Sequence, residues 1–142
     1  MTAKEYLNQA YRLEQRIRLL KDNIEETRAL SGSISSPGFE QHYNPNRPTE
    51  APYVKTLERL MEMQEELDEK LSLLLALKAE LTEVIDGVEN MDERLVLTYR
   101  YLKNYTWFHI GDILCADERT VRRWHSLALA HVIVPENPTV IP

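Results

Sequence analysis

Cysteine is almost missing from this 142-residue chain, which has Cys115 alone. A lone thiol excludes an intrachain disulfide and any metal site built from cysteines of one chain. Glycine and phenylalanine are also scarce, with four and two residues. That scarcity suits elongated helices better than a sandwich or barrel. Long apolar runs are lacking as well: LSLLLALKAEL, at 71–81, is broken by Lys78 and Glu80. Nothing approaches the roughly 20 apolar residues of a membrane span. The opening MTAKEYLNQAYRLEQR has no apolar stretch fit for a signal peptide. A soluble, cytoplasmic protein without membrane association is expected.

Positive charge is in deficit, with a formal net charge of -6. Such a balance argues against indiscriminate nucleic-acid binding. The deficit is uneven, because residues 1–87 hold sixteen acids against eleven bases, whereas 88–131 hold six of each.

What the sequence does contain is helical periodicity. Ala3 to Leu30 is free of Pro and Gly, and its apolar positions run Tyr6, Ala10, Leu13, Ile17, Leu20 and Ile24, with Thr27 in step. Spacings alternating four and three make the seam of a paired helix. Thr2 can cap it, with Glu5 at the reciprocal position. Ser31 to Tyr53 contains two Gly and four Pro and predicts a break, a mobile linker between helices. Helix resumes near Tyr53–Val54 and runs to about Asp86. Its expected seam is Leu57, Leu60, Gln64, Leu67, Leu71, Leu74, Leu77, Leu81 and Val84. Asp86-Gly87 supplies a stop, with Gly where a positive φ is tolerated. Two amphipathic helices joined this way predict an antiparallel hairpin over 1–87. Neither buries its stripe alone, and spare apolar surface favours a homo-oligomer, a dimer first.

Beyond Gly87 the texture changes to three short helices over 88–132, followed by an extended tail over 133–142. Asn90 caps the first, with Glu93 placed for a capping box and Leu95, Tyr99 and Leu102 expected inward. Asn104-Tyr105 ends it. Thr106 caps the second, whose inner face is Trp107, Ile110 and Leu114. Cys115-Ala116 is the turn and Asp117 caps the third, running from Glu118 to about His131. Val121, Trp124, Leu127 or Ala128, and His131 make its expected buried stripe. Helix, short turn and helix, with Gly111 at the close crossing, is the helix-turn-helix pattern. The fold class is therefore all-α: a long antiparallel helical hairpin followed by a C-terminal three-helix unit.

If Val121 and Trp124 point inward, Arg119, Thr120, Arg122, Arg123 and Ser126 lie around the other side. A recognition helix meets base edges and phosphates there. Arginine suits both, since its planar fork grips guanine or phosphate. Lys103, and with it Arg100, can add backbone contacts. The plainer alternative is a solvated helix face with the arginines paired to Asp117 and Glu118.

MDERLVLTYRYLKNYTWFHIGDILCADERTVRRWHSLALAHV, Met91 to Val132, resembles region four of bacterial sigma factors, which reads the -35 promoter element. The matching pieces are Leu95 to Tyr101, Trp107, Ile110-Gly111, Leu114, Val121, His125 and Ala128-Leu129. The family usually places Gly where this chain has Cys115, and no sigma region two is visible. With a hairpin in its place, the chain is similar to small sigma-like regulators of Gram-positive prophages, the RinA/ArpU-type late-gene activators. The resemblance implies transcriptional control of phage genes. Double-stranded DNA is the expected partner, through Arg119, Thr120, Arg122, Arg123, Ser126 and Lys103. RNA polymerase is a further candidate partner for the hairpin.

Two competitors stand beside that reading. One is a phage small terminase subunit, whose usual order places the DNA-binding unit first. The other is a protein-only adaptor or anti-sigma-type regulator. Trp107 and Trp124 read as core, because both fall on apolar stripes. His109, His125 and His131 with Cys115 match no metal motif, so neither metal nor other cofactor is expected. No glycine-rich phosphate loop and no nucleophile beside a base is present, which points away from an enzyme.

Overall fold

A computed structural model of the chain describes residues 1–34 and 51–142. The described elements are helices: α1 (Ala3–Ile34), α2 (Ala51–Asp86), α3 (Met91–Leu97), α4 (Trp107–Leu114) and α5 (Glu118–His131), with a π-helical turn over Thr98–Leu102 prolonging α3. Among the described residues there is no strand. The fold is all-α.

The capping box at the start of α1 forms in both directions. Thr2 N donates to Glu5 Oε2 at 3.0 Å, and Glu5 N to Thr2 Oγ1 at 3.2 Å. The helix does not end at Leu30 but continues to Ile34. One interior Gly, Gly32, costs only about 1 kcal/mol, and no proline precedes Pro37. The start of α2 is earlier than expected, at Ala51, with Pro52 in its first turn. A proline there loses no helical hydrogen bond. The remainder of the expected linker, 35–50, lies outside the described residues.

Residues 15–72 make one compact unit, and residues 1–14 with 73–142 make the other. The division falls within α1 and α2. Early α1 thus shares a unit with late α2, and late α1 with early α2, as antiparallel pairing requires. In the unit over 15–72, Ile17, Leu20 and Ile24 of α1 and Met63 and Leu67 of α2 are buried. All but Met63 were expected in a seam. Thr27, at the end of the α1 series, hydrogen-bonds its own helix, Oγ1 to Asn23 O at 2.8 Å.

The other unit buries Tyr6, Leu7, Ala10 and Leu13 of α1, with Leu77, Leu81 and Ile85 of α2. Ile85, not Val84, completes the α2 seam, in step with Leu77 and Leu81 at four-residue spacing. Glu14 Oε1 and Lys78 Nζ pair at 2.6 Å, and Lys78 also donates to the Leu102 carbonyl. Glu14 further accepts from the Asn104 amide. Between α2 and α3, Val88 is buried, and the Arg94 guanidinium donates to its carbonyl from Nε and Nη2 at 3.0 and 2.7 Å. Gly87 ends α2 without a positive φ; among the described residues the left-handed positions are Asn104 (φ 58°) and Cys115 (φ 54°).

Candidate nucleic-acid interface

The three short helices are set by local chemistry that the sequence announces. Asn90 Oδ1 accepts from Glu93 N at 3.1 Å, Thr106 Oγ1 from His109 N at 3.2 Å, and Asp117 Oδ1 from Thr120 N at 2.8 Å. Each side-chain oxygen satisfies one of the donors a helix leaves open at its first turn. Only the first half of the expected box at Asn90 forms. The Glu93 carboxylate instead meets His131 Nδ1 of α5 at 2.7 Å, with Glu93 buried and His131 exposed.

α3 does not bury Leu95, Tyr99 and Leu102 most deeply. Glu93, Val96, Leu97 and Tyr101 are buried, and the expected residues sit on the flank. Val96 and Tyr101 straddle Thr98, from which the helix widens: Lys103 N donates to Thr98 O, five residues back, at 3.1 Å. The Thr98 hydroxyl also takes the Arg94 carbonyl, at 2.9 Å. Side-chain competition of this kind loosens the α pattern. The segment then ends at Asn104, whose left-handed φ is tolerated better than in most residues.

Val96, Ile110 and Val121 form the centre of the unit, each fully buried. Tyr99, Tyr105, Trp107, Leu114, Ala116 and Trp124 pack around them. Both tryptophans therefore serve the core while keeping partial exposure. Trp107 is no open stacking platform, since the Arg100 guanidinium lies 4.3 Å from its ring centroid. Gly111, expected at the crossing of the two helices, lies instead against the backbone of the turn that leads from α4 into α5. A Cβ there would lie 2.6 Å from the Ala116 carbonyl oxygen, so only glycine fits this approach. Cys115 occupies the left-handed position after α4, one that favours glycine.

On α5 the buried residues are Val121, His125 and Ala128, while Leu127 is exposed and Trp124 half-buried. Of the two alternatives for the third stripe position, Ala128 is inside. His131, expected to be buried, is exposed and reaches Glu93. His125 was missed as a core residue. Its spacing from Val121 and Ala128, four and three, is the signal that could have found it. It hydrogen-bonds Tyr101 across the unit at 2.6 Å and meets the Trp107 ring edge-on at 4.7 Å. Burial, helped by the charges of Lys4 and Arg100, pushes the His125 pKa down to about 4. Burial pushes the Tyr101 phenol up to about 12, against the Arg100 charge. Both groups are neutral near pH 7.

The opposite side of α5 holds the expected contact residues. Arg119, Arg122, Arg123 and Ser126 are exposed and Thr120 is half-buried, all within two turns of one helix. Arg122 Nη2 lies 3.7 Å from Glu118 Oε2, a loose and fully solvated pair. Thr120, through its side chain and its backbone N–H, holds the Asp117 carboxyl below the usual range, and the charges of Arg119 and Arg123 add to this. The Ser126 hydroxyl donates to the Arg122 carbonyl at 3.2 Å, which leaves its lone pairs outward. Lys103 is exposed on another element, at the end of the turn that prolongs α3. Beside the arginine face, an open groove is lined by Phe108, Gly111, Asp112, Cys115, Ala116, Asp117 and Glu118. Among the described residues, no three His, Cys, Asp or Glu side chains converge as a metal site would need. No described helix is long and apolar enough to cross a membrane.

The family model for DUF1492, a protein of unknown function, matches residues 52–132. The chain belongs to the DUF1492 family. The DUF1492 match begins at the start of α2, takes in α3, α4 and α5, and stops at Val132, the residue after α5. It therefore covers the arginine face and leaves out α1 and the tail. Comparison with curated proteins and with solved structures returns no match.

Proposed function

We propose that this DUF1492 protein is a sequence-specific, double-stranded-DNA-binding regulator of transcription, with α5 in the major groove. The observation that carries the reading is the partition of α5. Val121, His125 and Ala128 are consumed by the core, which leaves Arg119, Thr120, Arg122, Arg123 and Ser126 as one solvent-facing set. A glycine-tight turn precedes it, as in helix-turn-helix units whose second helix reads base edges. The resemblance to sigma region four and to prophage late-gene activators supports phage or prophage promoters as the target, and polymerase contact and oligomerisation as roles for the helical pair. The three arginines supply bidentate grips for guanine or phosphate.

A second reading, a protein-only adaptor of anti-sigma type, is favoured by one feature. Phe108 and Ile113 of α4 are exposed, at 72% and 40%, and Phe108 lines a groove with Asp112, Asp117 and Glu118. An apolar and acidic groove suits a basic protein partner better than DNA.

Selection of bound duplexes from random DNA, repeated with Arg119, Arg122 and Arg123 all changed to Ala, separates the two. The expected result is a recurring site that the triple variant loses, with an unchanged thermal melt. Enrichment by the triple variant equal to wild type would overturn the assignment of this face. No enrichment by either protein, with capture of a polymerase subunit, would favour the adaptor.

A further inference from the structure

The last residues of the chain are held by two side chains of the helical pair. Gln9, on α1, is only 5% exposed. Its Nε2 donates to the Thr139 carbonyl at 2.8 Å, and its Oε1 accepts from the Ile141 N–H at 2.9 Å. The Thr139 N–H donates to Glu80 of α2, 3.3 Å from each carboxylate oxygen. In an extended chain, alternate residues turn their N–H and C=O groups to the same edge. The groups used here belong to residues 139 and 141. One edge of the tail is thus read as a neighbouring strand would read it, by an amide and a carboxylate. Val140, between them, is 61% exposed.

The prolines obey the same parity. Pro138 and Pro142 fall at the even positions, whose nitrogens face the other edge, so the N–H groups they lack are not ones Gln9 or Glu80 needs. None of these hydrogen bonds involves a side chain of residues 139–141. The cradle recognises an extended backbone with two open N–H groups, whatever chain supplies it.

We propose that the Gln9–Glu80 cradle takes the tail of a second copy of this chain, giving a reciprocal tail-exchanged dimer. The segment from Val132 to Pro138 that carries the tail has no helix, exposes Ile133 at 82%, and contains Pro135 and Pro138. The connection bends at Glu136–Asn137, and straightening there, between the two prolines, lets it project outward. Closed and exchanged forms make the same hydrogen bonds, so protein concentration against the local concentration of the attached tail decides between them. This surface is separate from the arginine face and does not depend on DNA binding.

The test uses two full-length chains. Gln9→Met keeps buried volume and an intact tail but removes the cradle amide. Ile141→Pro keeps the cradle but removes the N–H that Gln9 accepts, and so weakens its hold on its own tail. With one chain tagged, the mixture is expected to yield a complex of one copy of each, above any association either shows alone. Adding Ile141→Pro to the Gln9→Met chain reduces capture, whereas adding Val140→Pro, whose N–H faces away, preserves it. No mixed complex, with helical circular dichroism of both chains intact, would overturn the proposal. Equal loss from both tail prolines would overturn it too, because the backbone parity would then be irrelevant. Were Gln9→Met to lose helix, Glu80→Leu would take its place as the cradle-deficient chain.

Discussion

At the scale of single residues, the turn between α4 and α5 makes opposite demands on two neighbours. Gly111 has no room for a Cβ, because the obstacle 2.6 Å away is the backbone oxygen of Ala116 and cannot rotate aside. Gly111→Ala is expected to cost about 1–3 kcal/mol, read as a lower urea midpoint with an unchanged slope. Cys115 has room but the wrong conformation, since its φ of 54° is one that side chains resist. Cys115→Gly should stabilise by about 1 kcal/mol in the same assay. His125 makes a different prediction, in pH. Its pKa falls from 6.5 to about 4 on folding, so the folded chain favours the neutral ring. That contribution is complete above 6.5 and is lost as pH falls toward about 4. Melting temperatures should drop across this window more steeply for wild type than for His125→Gln. Parallel profiles would assign the loss to carboxylates instead.

At the scale of elements, α5 is fixed from both ends of its length. Its start is capped by Asp117, and its last residue, His131, reaches back to the buried Glu93 of α3. Removing either partner is not equivalent. His131→Ala leaves a buried carboxylate without its partner, whereas Glu93→Gln leaves a neutral amide that can still accept a hydrogen bond. His131→Ala should therefore cost about 1–3 kcal/mol and Glu93→Gln less, by thermal unfolding at neutral pH. The same helices show what a sequence makes legible. Caps were readable at Thr2, Asn90, Thr106 and Asp117, because a polar side chain before an apolar run has one dominant use. The boundaries of α5 and the α1 seam were equally open to periodicity. The phase of α3 was not, because periodicity counts 3.6 residues per turn and the π-helical turn holds more. His125 does keep the period of Val121 and Ala128, but its polar residue type masks a core position. Tertiary partners such as Glu93–His131 and Gln9–Thr139, 38 and 130 residues apart, leave no local trace at all. Whether the outward arginines touch DNA was a matter of chemistry and resemblance from the start, and geometry adds only that they are available.

At the scale of the whole molecule, a chain with net charge -6 has no general attraction for DNA, so the proposed binding rests on local basic groups such as those of α5. Binding should therefore be steeply selective in orientation and modest in electrostatic strength. With Arg119, Arg122 and Arg123 as the phosphate-reaching groups, the log–log salt slope is expected near about -2.7 for one head and twice that for two. Titration at several salt concentrations reads this directly. A slope near zero in wild type would exclude DNA contact through the arginines.

The unit built from residues 1–14 and 73–142 has a further meaning when the chain is followed in time. Its first strip leaves the ribosome before residues 15–72, and its complement only after them. At roughly 5–20 residues per second, the first turns of α1 wait several seconds for α2 to end and for α3 to begin. During that wait Tyr6, Leu7 and Ala10 have no native partner, and the intervening unit can close around Ile17, Leu20 and Met63 first. Birth order thus runs from the middle of the hairpin outward, and the segment nearest the start is the last to come to rest.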